Sequence, residues 1–169
     1  MNALKFRNNL ATQYHNLSSY DSTVMPDASA MKVGIVVAEW NTEITSRLLE
    51  GARSTLINNG VSTDNIIVRW VPGSFELIYG AKLLADKTDV DAVIVLGCVI
   101  RGETPHFEYI CSAVAQAIAT LNITYPIPFI FGLLTNNTMQ QSIDRAGGVL
   151  GNKGDEAAVT AIKMIALRV

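Results

Sequence analysis

Few groups in this sequence could hold a metal or staple a secreted fold. It has two cysteines, Cys98 and Cys111, and two histidines, His15 and His106. The histidines are far apart in the chain, and the cysteines fall on a predicted strand and a predicted helix without ligand spacing, so no metal site is expected. At 169 residues the chain is large enough to fold without disulfides, and both thiols lie in apolar settings. Charge of one sign is also missing. Thirteen Lys and Arg stand against fifteen Asp and Glu, a net charge of -2, which provides no field for a polyanion and excludes nucleic acid as an expected partner. No apolar run approaches the roughly 18 residues of a membrane span, and "MNALKFRNNLATQYHNLSSYDS" has no continuous apolar segment of the secretory type. A cytoplasmic protein without membrane contact is the expectation.

The hydrophobic content, 49%, is that of one well-packed domain. Residues 1–30 are rich in Asn, Ser, Thr and Asp without apolar periodicity, and are read as an arm ahead of a single domain at 31–169. "KVGIVVA", residues 32–38, is a β-branched run. "EWNTEITSRLLEGARSTLINNG" then carries Ile44, Leu48, Ala52 and Leu56 at helical spacing and stops at Gly60. The alternation repeats. "NIIVRWV" reads as a strand and "PGSFELIYGAKLLAD" as a helix whose first turn follows Pro72-Gly73. "DAVIVLGCVI" is a continuous apolar strand of the kind buried on both faces of a parallel sheet. After His106, residues Phe107, Ile110, Cys111, Val114 and Ile118 form one helical stripe. "IPFIFGLL" is a fourth strand, followed by "TMQQSIDRAGG" and a last helix starting near "NKGDEAA". Four βα units predict an open, parallel α/β sheet with helices on both faces.

Ligands of such sheets collect beyond the carboxyl ends of the strands. The loops predicted there are "AEWNTE", "VPGSFE", "VIRGETPHF" and "FGLLTNNT". Thr104 can cap the third helix with Pro105 as its first residue, which puts His106 in the first turn. There the helix field and burial both disfavour imidazolium, so a neutral proton acceptor is the expectation, against the plainer alternative of a surface histidine. Gly102 and Glu103 offer backbone N–H groups and Thr104 a hydroxyl to an anion, although every helix start presents such donors. Arg145 and Lys153 flank "AGGVLGN" and are candidate cations for that anion, with a solvated surface pair as the alternative. Trp40 could stack on a flat heterocycle or simply cover its helix. Glu76 could accept bonds from a polyol or stabilise a helix start. "GGVLGNKG" follows a helix and lacks the Gly-Lys-Ser/Thr ending, so it is not a phosphate loop. "AEWN" has no glycine fingerprint for a dinucleotide.

Taken together, "WNTEIT", "VPGSFEL", "VIRGETPHFEY", "FGLLT", "DRAG" and "NKGDEAA" resemble the 6,7-dimethyl-8-ribityllumazine synthase family, from about residue 32 to the C-terminus. The resemblance implies a three-layer α/β/α, flavodoxin-like fold with a four-stranded parallel sheet. It implies a cofactor-independent transferase of riboflavin biosynthesis. That enzyme condenses 5-amino-6-(D-ribitylamino)uracil with 3,4-dihydroxy-2-butanone 4-phosphate and releases phosphate and water. By motif, Trp40 replaces the family's usual aromatic over the pyrimidine, with Asn41 beside it. Ser74, Phe75 and Glu76 match residues that meet the uracil and ribityl chain, and Cys98, Val99 and Ile100 match the strand end that meets the pyrimidine. Gly102, Glu103 and Thr104 match the phosphate-binding turn. Glu103 often corresponds to a smaller residue, so its side chain must point away from the anion. His106 matches the proposed proton-transfer residue. Phe131, Arg145 and Lys153 match residues supplied by a neighbouring subunit, Arg145 to the phosphate. Self-association into pentamers is implied, with the arm adding to an adjacent sheet, and the short "AGGVLGNK" connection resembles members that close twelve pentamers into an icosahedral 60-mer shell. The competing readings are a non-catalytic shell or flavin-binding paralogue of the same fold, and a generic flavodoxin-like nucleotide binder, which the missing phosphate loop disfavours.

Overall fold

The computed structural model describes residues 17–168. Four strands, β1 (Val33–Ala38), β2 (Ile66–Val71), β3 (Ala92–Ile100) and β4 (Phe129–Asn136), form one parallel sheet in the order β2-β1-β3-β4. The helices are α1 (Thr42–Asn58), α2 (Leu77–Lys87), α3 (His106–Thr124), α4 (Met139–Arg145) and α5 (Lys153–Ala166).

The strand order explains the sequence texture. β1 and β3 are central, and every residue of β1 and the first seven of β3 are buried, which is why both read as unbroken apolar runs. β2 and β4 are edges and carry exposed residues, among them Arg69, Trp70, Phe131 and Thr135. Alternate side chains of the central strands enter two separate cores. Val33, Ile35, Val37, Ile94 and Leu96 pack with Leu48 and Leu56 of α1 and Ala158 and Ile162 of α5. Val36, Val93 and Val95 pack on the other face with Leu77 and Leu84 of α2 and Val114 and Ile118 of α3. Full burial of each such Leu or Ile contributes about 1.5–3 kcal/mol. These are the three layers expected, with the sheet between α1/α5 and α2/α3.

Several boundaries differ from the sequence expectation. Helix α2 starts at Leu77, because residues 74–76 form a turn whose carbonyls take the first N–H groups of the helix: Leu77 N–H donates to Ser74 O at 3.3 Å and Gly80 N–H to Glu76 O at 3.0 Å. Helix α3 starts at His106. Pro105, not Thr104, is its cap residue, and no side-chain cap bond is made; Pro105 O instead accepts from Glu108 N–H and Tyr109 N–H. The short "AGGVLGN" connection is a small antiparallel hairpin of β5 (Ala146–Gly148) and β6 (Gly151–Asn152), with Gly147 at φ 95° and Gly151 at φ 78°.

Of the expected arm, residues 1–16, including His15, lie outside the described residues. Residues 17–31 run over the α1/α5 face. Ala28 and Met31 are buried in that core, and Tyr20 Oη accepts from Asn59 Nδ2 at 2.6 Å. Among the described residues no helix is long and apolar enough to cross a membrane.

The hairpin delivers the chain to α5, whose first turn is docked on α1. Asn152 Oδ1 caps α5 through Gly154 N–H at 2.8 Å, and Asn152 Nδ2 donates to Arg47 O of α1 at 2.9 Å. The approach is so close that a Cβ on Gly154 would lie 1.9 Å from Leu48 O. Backbone cannot yield there as a flexible side chain would, so Gly154→Ala is expected to destabilise the fold by about 3 kcal/mol. Gly102→Ala, where a Cβ would meet nothing within 4 Å, should stay within about 0.5 kcal/mol of the parent. Urea unfolding midpoints of the two variants check this; similar losses in both would contradict the packing described.

Candidate functional site

Because β2 lies on one side of β1 and β3 on the other, the loops leaving β1 and β3 diverge and open a crevice at the carboxyl edge. A cleft of about 480 Å³ occupies it, lined by Trp40, Asn41, Gly73, Ser74, Phe75, Glu76, Cys98, Val99, Ile100, His106 and Ile110. Nine sequence-predicted site residues therefore converge here from two loops, a strand end and a helix start.

Local chemistry holds these loops. Glu39 N–H donates to Val71 O at 2.8 Å and Trp40 N–H to Pro72 O at 3.2 Å, pinning the first loop to the second. Asn41 has a left-handed backbone, φ 58° and ψ 46°, which an Asn tolerates better than a branched residue, and this turns the chain from β1 into α1. Its carbonyl accepts from Ile44 N–H at 2.8 Å, while its Nδ2 reaches across to Cys98 O at 2.9 Å. Gly73 keeps the mouth open: a Cβ there would stand 2.9 Å from Glu76 Oε2 and 3.4 Å from Trp40 Cδ1. Trp40 and Phe75 are exposed by 72% and 51%, large apolar faces left open among the described residues. Ser74 is buried, and its Oγ lies over the backbone of Gly97.

His106, the first residue of α3, borders this cleft. It is exposed, and β3 ends at Ile100, six residues earlier. The intervening turn, 102–104, is exposed too. Gly102 has open space where a Cβ would be and no positive φ, so neither packing nor backbone conformation of this chain requires glycine there. The turn is held by its neighbour Arg101. Arg101 N–H donates to Asn136 O at 2.9 Å, Nε donates to Asn137 Oδ1 at 2.9 Å, Nη1 pairs with Glu108, and the guanidinium lies 4.2 Å from the Phe107 ring centre. The Arg101 hydrogen bond holds the Glu108 carboxyl below its usual range. Arg101 thus fastens β3 to α3 and to the end of β4, a role the sequence reading missed although "VIRG" places an arginine at the strand exit.

Phe131, Arg145 and Lys153 are not in this cleft. They line a second one of about 520 Å³ along the outer edge of β4 and the start of α5, with Leu17, Asn136 and Glu156 among its walls. The two clefts share no lining residue. Lys153 Nζ is held by both Glu156 carboxylate oxygens at 2.8 and 2.7 Å, and Arg145 Nη1 donates to Gln141 O at 3.1 Å. Phe131 is 43% exposed on β4, an edge strand of the sheet among the described residues.

Between the clefts lies a buried polar cluster that the sequence did not reveal. Ser142 Oγ of α4 accepts from Cys98 Sγ at 3.3 Å and from Asn136 Nδ2 at 2.9 Å. Desolvation raises the Cys98 thiol above its ordinary pKa, offset in part by the Ser142 bond. Cys111, by contrast, is half-buried on α3, and both cysteines are free thiols.

Comparison with known proteins gives one family. The profile described as 6,7-dimethyl-8-ribityllumazine synthase matches residues 30–168. The chain is similar to proteins of that name from Parabacteroides distasonis, at 67% identity over 92% of this chain and 98% of the relative, and from Phocaeicola vulgatus, at 58% over 92% and 93%. A third, from Porphyromonas gingivalis, is 56% identical over 94% of this chain and 98% of its own length.

The left-handed Asn41 yields a stability test. Asn41→Gly relieves the Cβ strain of that backbone and loses the bond to Cys98 O, whereas Asn41→Ala loses the bond and keeps a Cβ in the left-handed region without the asparagine amide. The Ala variant should therefore be less stable than the Gly variant by about 1 kcal/mol in chemical denaturation. The reverse order would be inconsistent with the loop conformation.

Proposed function

The chain belongs to the 6,7-dimethyl-8-ribityllumazine synthase family, and from that premise we propose that it is a cytoplasmic, cofactor-independent enzyme of riboflavin biosynthesis. It condenses 5-amino-6-(D-ribitylamino)uracil with 3,4-dihydroxy-2-butanone 4-phosphate to the lumazine, releasing inorganic phosphate and water. The observation that carries this reading is the convergence of Trp40, Asn41, the 74–76 turn, the 98–100 strand end and His106 in one crevice at the sheet's switch point.

The chemistry needs an amine and a ketone held together, proton transfers, and a leaving anion stabilised. Trp40 and Phe75 offer faces for the flat pyrimidine, Glu76 accepts from ribityl hydroxyls, and backbone groups at Val99 and Ile100 fix the ring edge. The amine adds to the ketone carbonyl, and loss of water gives the imine. Elimination then breaks the carbon–oxygen bond to phosphate, and closure of the second ring with loss of water gives the product. His106, at the start of α3, carries protons between these steps. The N–H groups of the 102–104 turn and the Thr104 hydroxyl receive the phosphate, with the Glu103 carboxylate directed away from it.

Phe131, Arg145 and Lys153 serve the first cleft of a neighbouring subunit. Two features support this: they sit in a separate cleft of their own chain, and among the described residues β4 beside them is an edge strand. In this reading the single chain holds two half-sites, and a ring of subunits, a pentamer, completes every one of them. The N-terminal arm, ahead of the residues packed on the chain's own α1/α5 face, adds to the sheet of an adjacent subunit, and twelve pentamers close into a shell.

Purified protein given both substrates should develop lumazine fluorescence; no product at high enzyme concentration would end the enzymatic reading. His106→Ala should slow turnover about 100-fold with modest loss of substrate binding, while Arg145→Ala should chiefly raise KM for the phosphate substrate. Mixing His106→Ala and Arg145→Ala subunits and reassembling them should recover part of the activity, because some interfaces then pair an intact His106 with an intact Arg145. No recovery in mixed assemblies would mean the residues act within one chain. Sedimentation velocity distinguishes pentamer from shell.

A further inference from the structure

We propose that Ser142 is a positioning residue for Arg145, acting through the buried cluster that joins α4 to the carboxyl ends of β3 and β4. The inference rests on the reading above that Arg145 meets the phosphate.

Helix α4 has seven residues, too few to hold its shape or direction alone, yet it carries Arg145 as its last residue. Its N-terminus is fixed by exposed bonds: Thr138 Oγ1 accepts from Gln141 N–H at 3.3 Å, and Gln141 Oε1 accepts from Asn137 N–H at 2.8 Å. Its one fully buried residue is Ser142, at 0% exposure and one helical turn before Arg145. The Ser142 hydroxyl accepts from both Cys98 Sγ and Asn136 Nδ2, so a single oxygen ties the helix to two adjacent strands. Each tie leads to the candidate site. The carbonyl of Cys98 takes the Asn41 amide at the floor of the first cleft, and the carbonyl of Asn136 takes the N–H of Arg101, next to the 102–104 turn. The guanidinium of Arg145 packs back on the carbonyl of Gln141, beside Ser142 in sequence. Rotation or slippage of α4 about this anchor would displace the guanidinium directly, whereas the Asn41 bond to Cys98 O would persist without the Ser142 hydroxyl. Ser142 therefore governs the aim of the cation supplied to the phosphate and has little influence on pyrimidine binding.

Ser142→Ala removes the shared acceptor, Asn136→Leu removes one donor while keeping its shape, and Ser142→Cys keeps a weaker acceptor in place. The readouts are KM for each substrate, kcat, the thermal midpoint, and binding of inorganic phosphate to the assembled protein by calorimetry. Ser142→Ala is expected to weaken inorganic phosphate and raise KM for the phosphate substrate about tenfold. KM for the pyrimidine and kcat should stay within about twofold, and the midpoint should fall by a few degrees. Asn136→Leu should shift in the same direction by less, and Ser142→Cys should recover part of the phosphate affinity. A merely structural role would move both KM values together or lower kcat with phosphate affinity unchanged; either result, or a Ser142→Ala variant identical to the parent, overturns the proposal. Parent protein that binds no phosphate overturns it as well. Parent protein that binds phosphate but yields no lumazine counts against the enzymatic reading alone, and the phosphate titration of the variants then decides the role of Ser142.

Discussion

Everything in this molecule hangs on the parallel pairing of β1 with β3. Residues 33–37 run in register with 92–96, both paired segments are sealed from water, and the two cores on either side are filled by alternate side chains of the same pair. A strand buried on both faces must satisfy its backbone entirely through neighbouring strands, so this pair leaves little freedom of register. Because the next strands lie on opposite flanks, the chain leaves β1 and β3 in opposite directions, and a crevice opens where those exits part. The crevice is a consequence of strand order, and Trp40, Asn41 and His106 are the residues that the exits carry to it.

The loops around the crevice are fastened by short polar devices. Asn41 accepts a strained backbone and spans to Cys98. Arg101 spends its charge and its hydrogen bonds on Glu108, Asn137 and the Phe107 face. Such fastening suits a site that binds two substrates in a fixed relation, since preorganised groups need no rearrangement when reactants arrive. The second cleft follows the same pattern: Lys153 is held by Glu156, and Arg145 ends a helix anchored in the core. Two separate clefts in one chain, with β2 and β4 as the sheet edges among the described residues, suit the proposed ring. In the proposed ring each subunit gives its cation and aromatic to one neighbour and receives the same from the other.

How much of this was legible in the sequence depended on the range of the interaction. The apolar runs of β1 and β3, the stripe of α1 and the start of α5 follow from periodicity, because burial on a known face imposes a local pattern of 2 or 3.6. The candidate residues of the first cleft were readable because they stand at or just beyond strand ends, and six ordered motifs gave the whole set a family. The hairpin in "AGGVLGN" was signalled by its glycines but disguised by its length. The cap of α3 was misplaced by one residue, since Thr104 and Pro105 both suit a helix start and the actual cap uses a backbone carbonyl.

By itself, then, the sequence determined the alternation of strands and helices, the class of fold and the set of residues at the ligand edge, because hydrophobic period and turn chemistry are properties of neighbouring residues. The tertiary structure alone decided that Arg101 is a fastener rather than a free cation, and that Cys98, Asn136 and Ser142 meet. Ser142 lies 44 positions from Cys98, and no local pattern links a serine on one helix to a thiol on a distant strand. Their contact exists because β3 and β4 are adjacent in the sheet and α4 folds back over their ends, an arrangement fixed by packing of the whole chain.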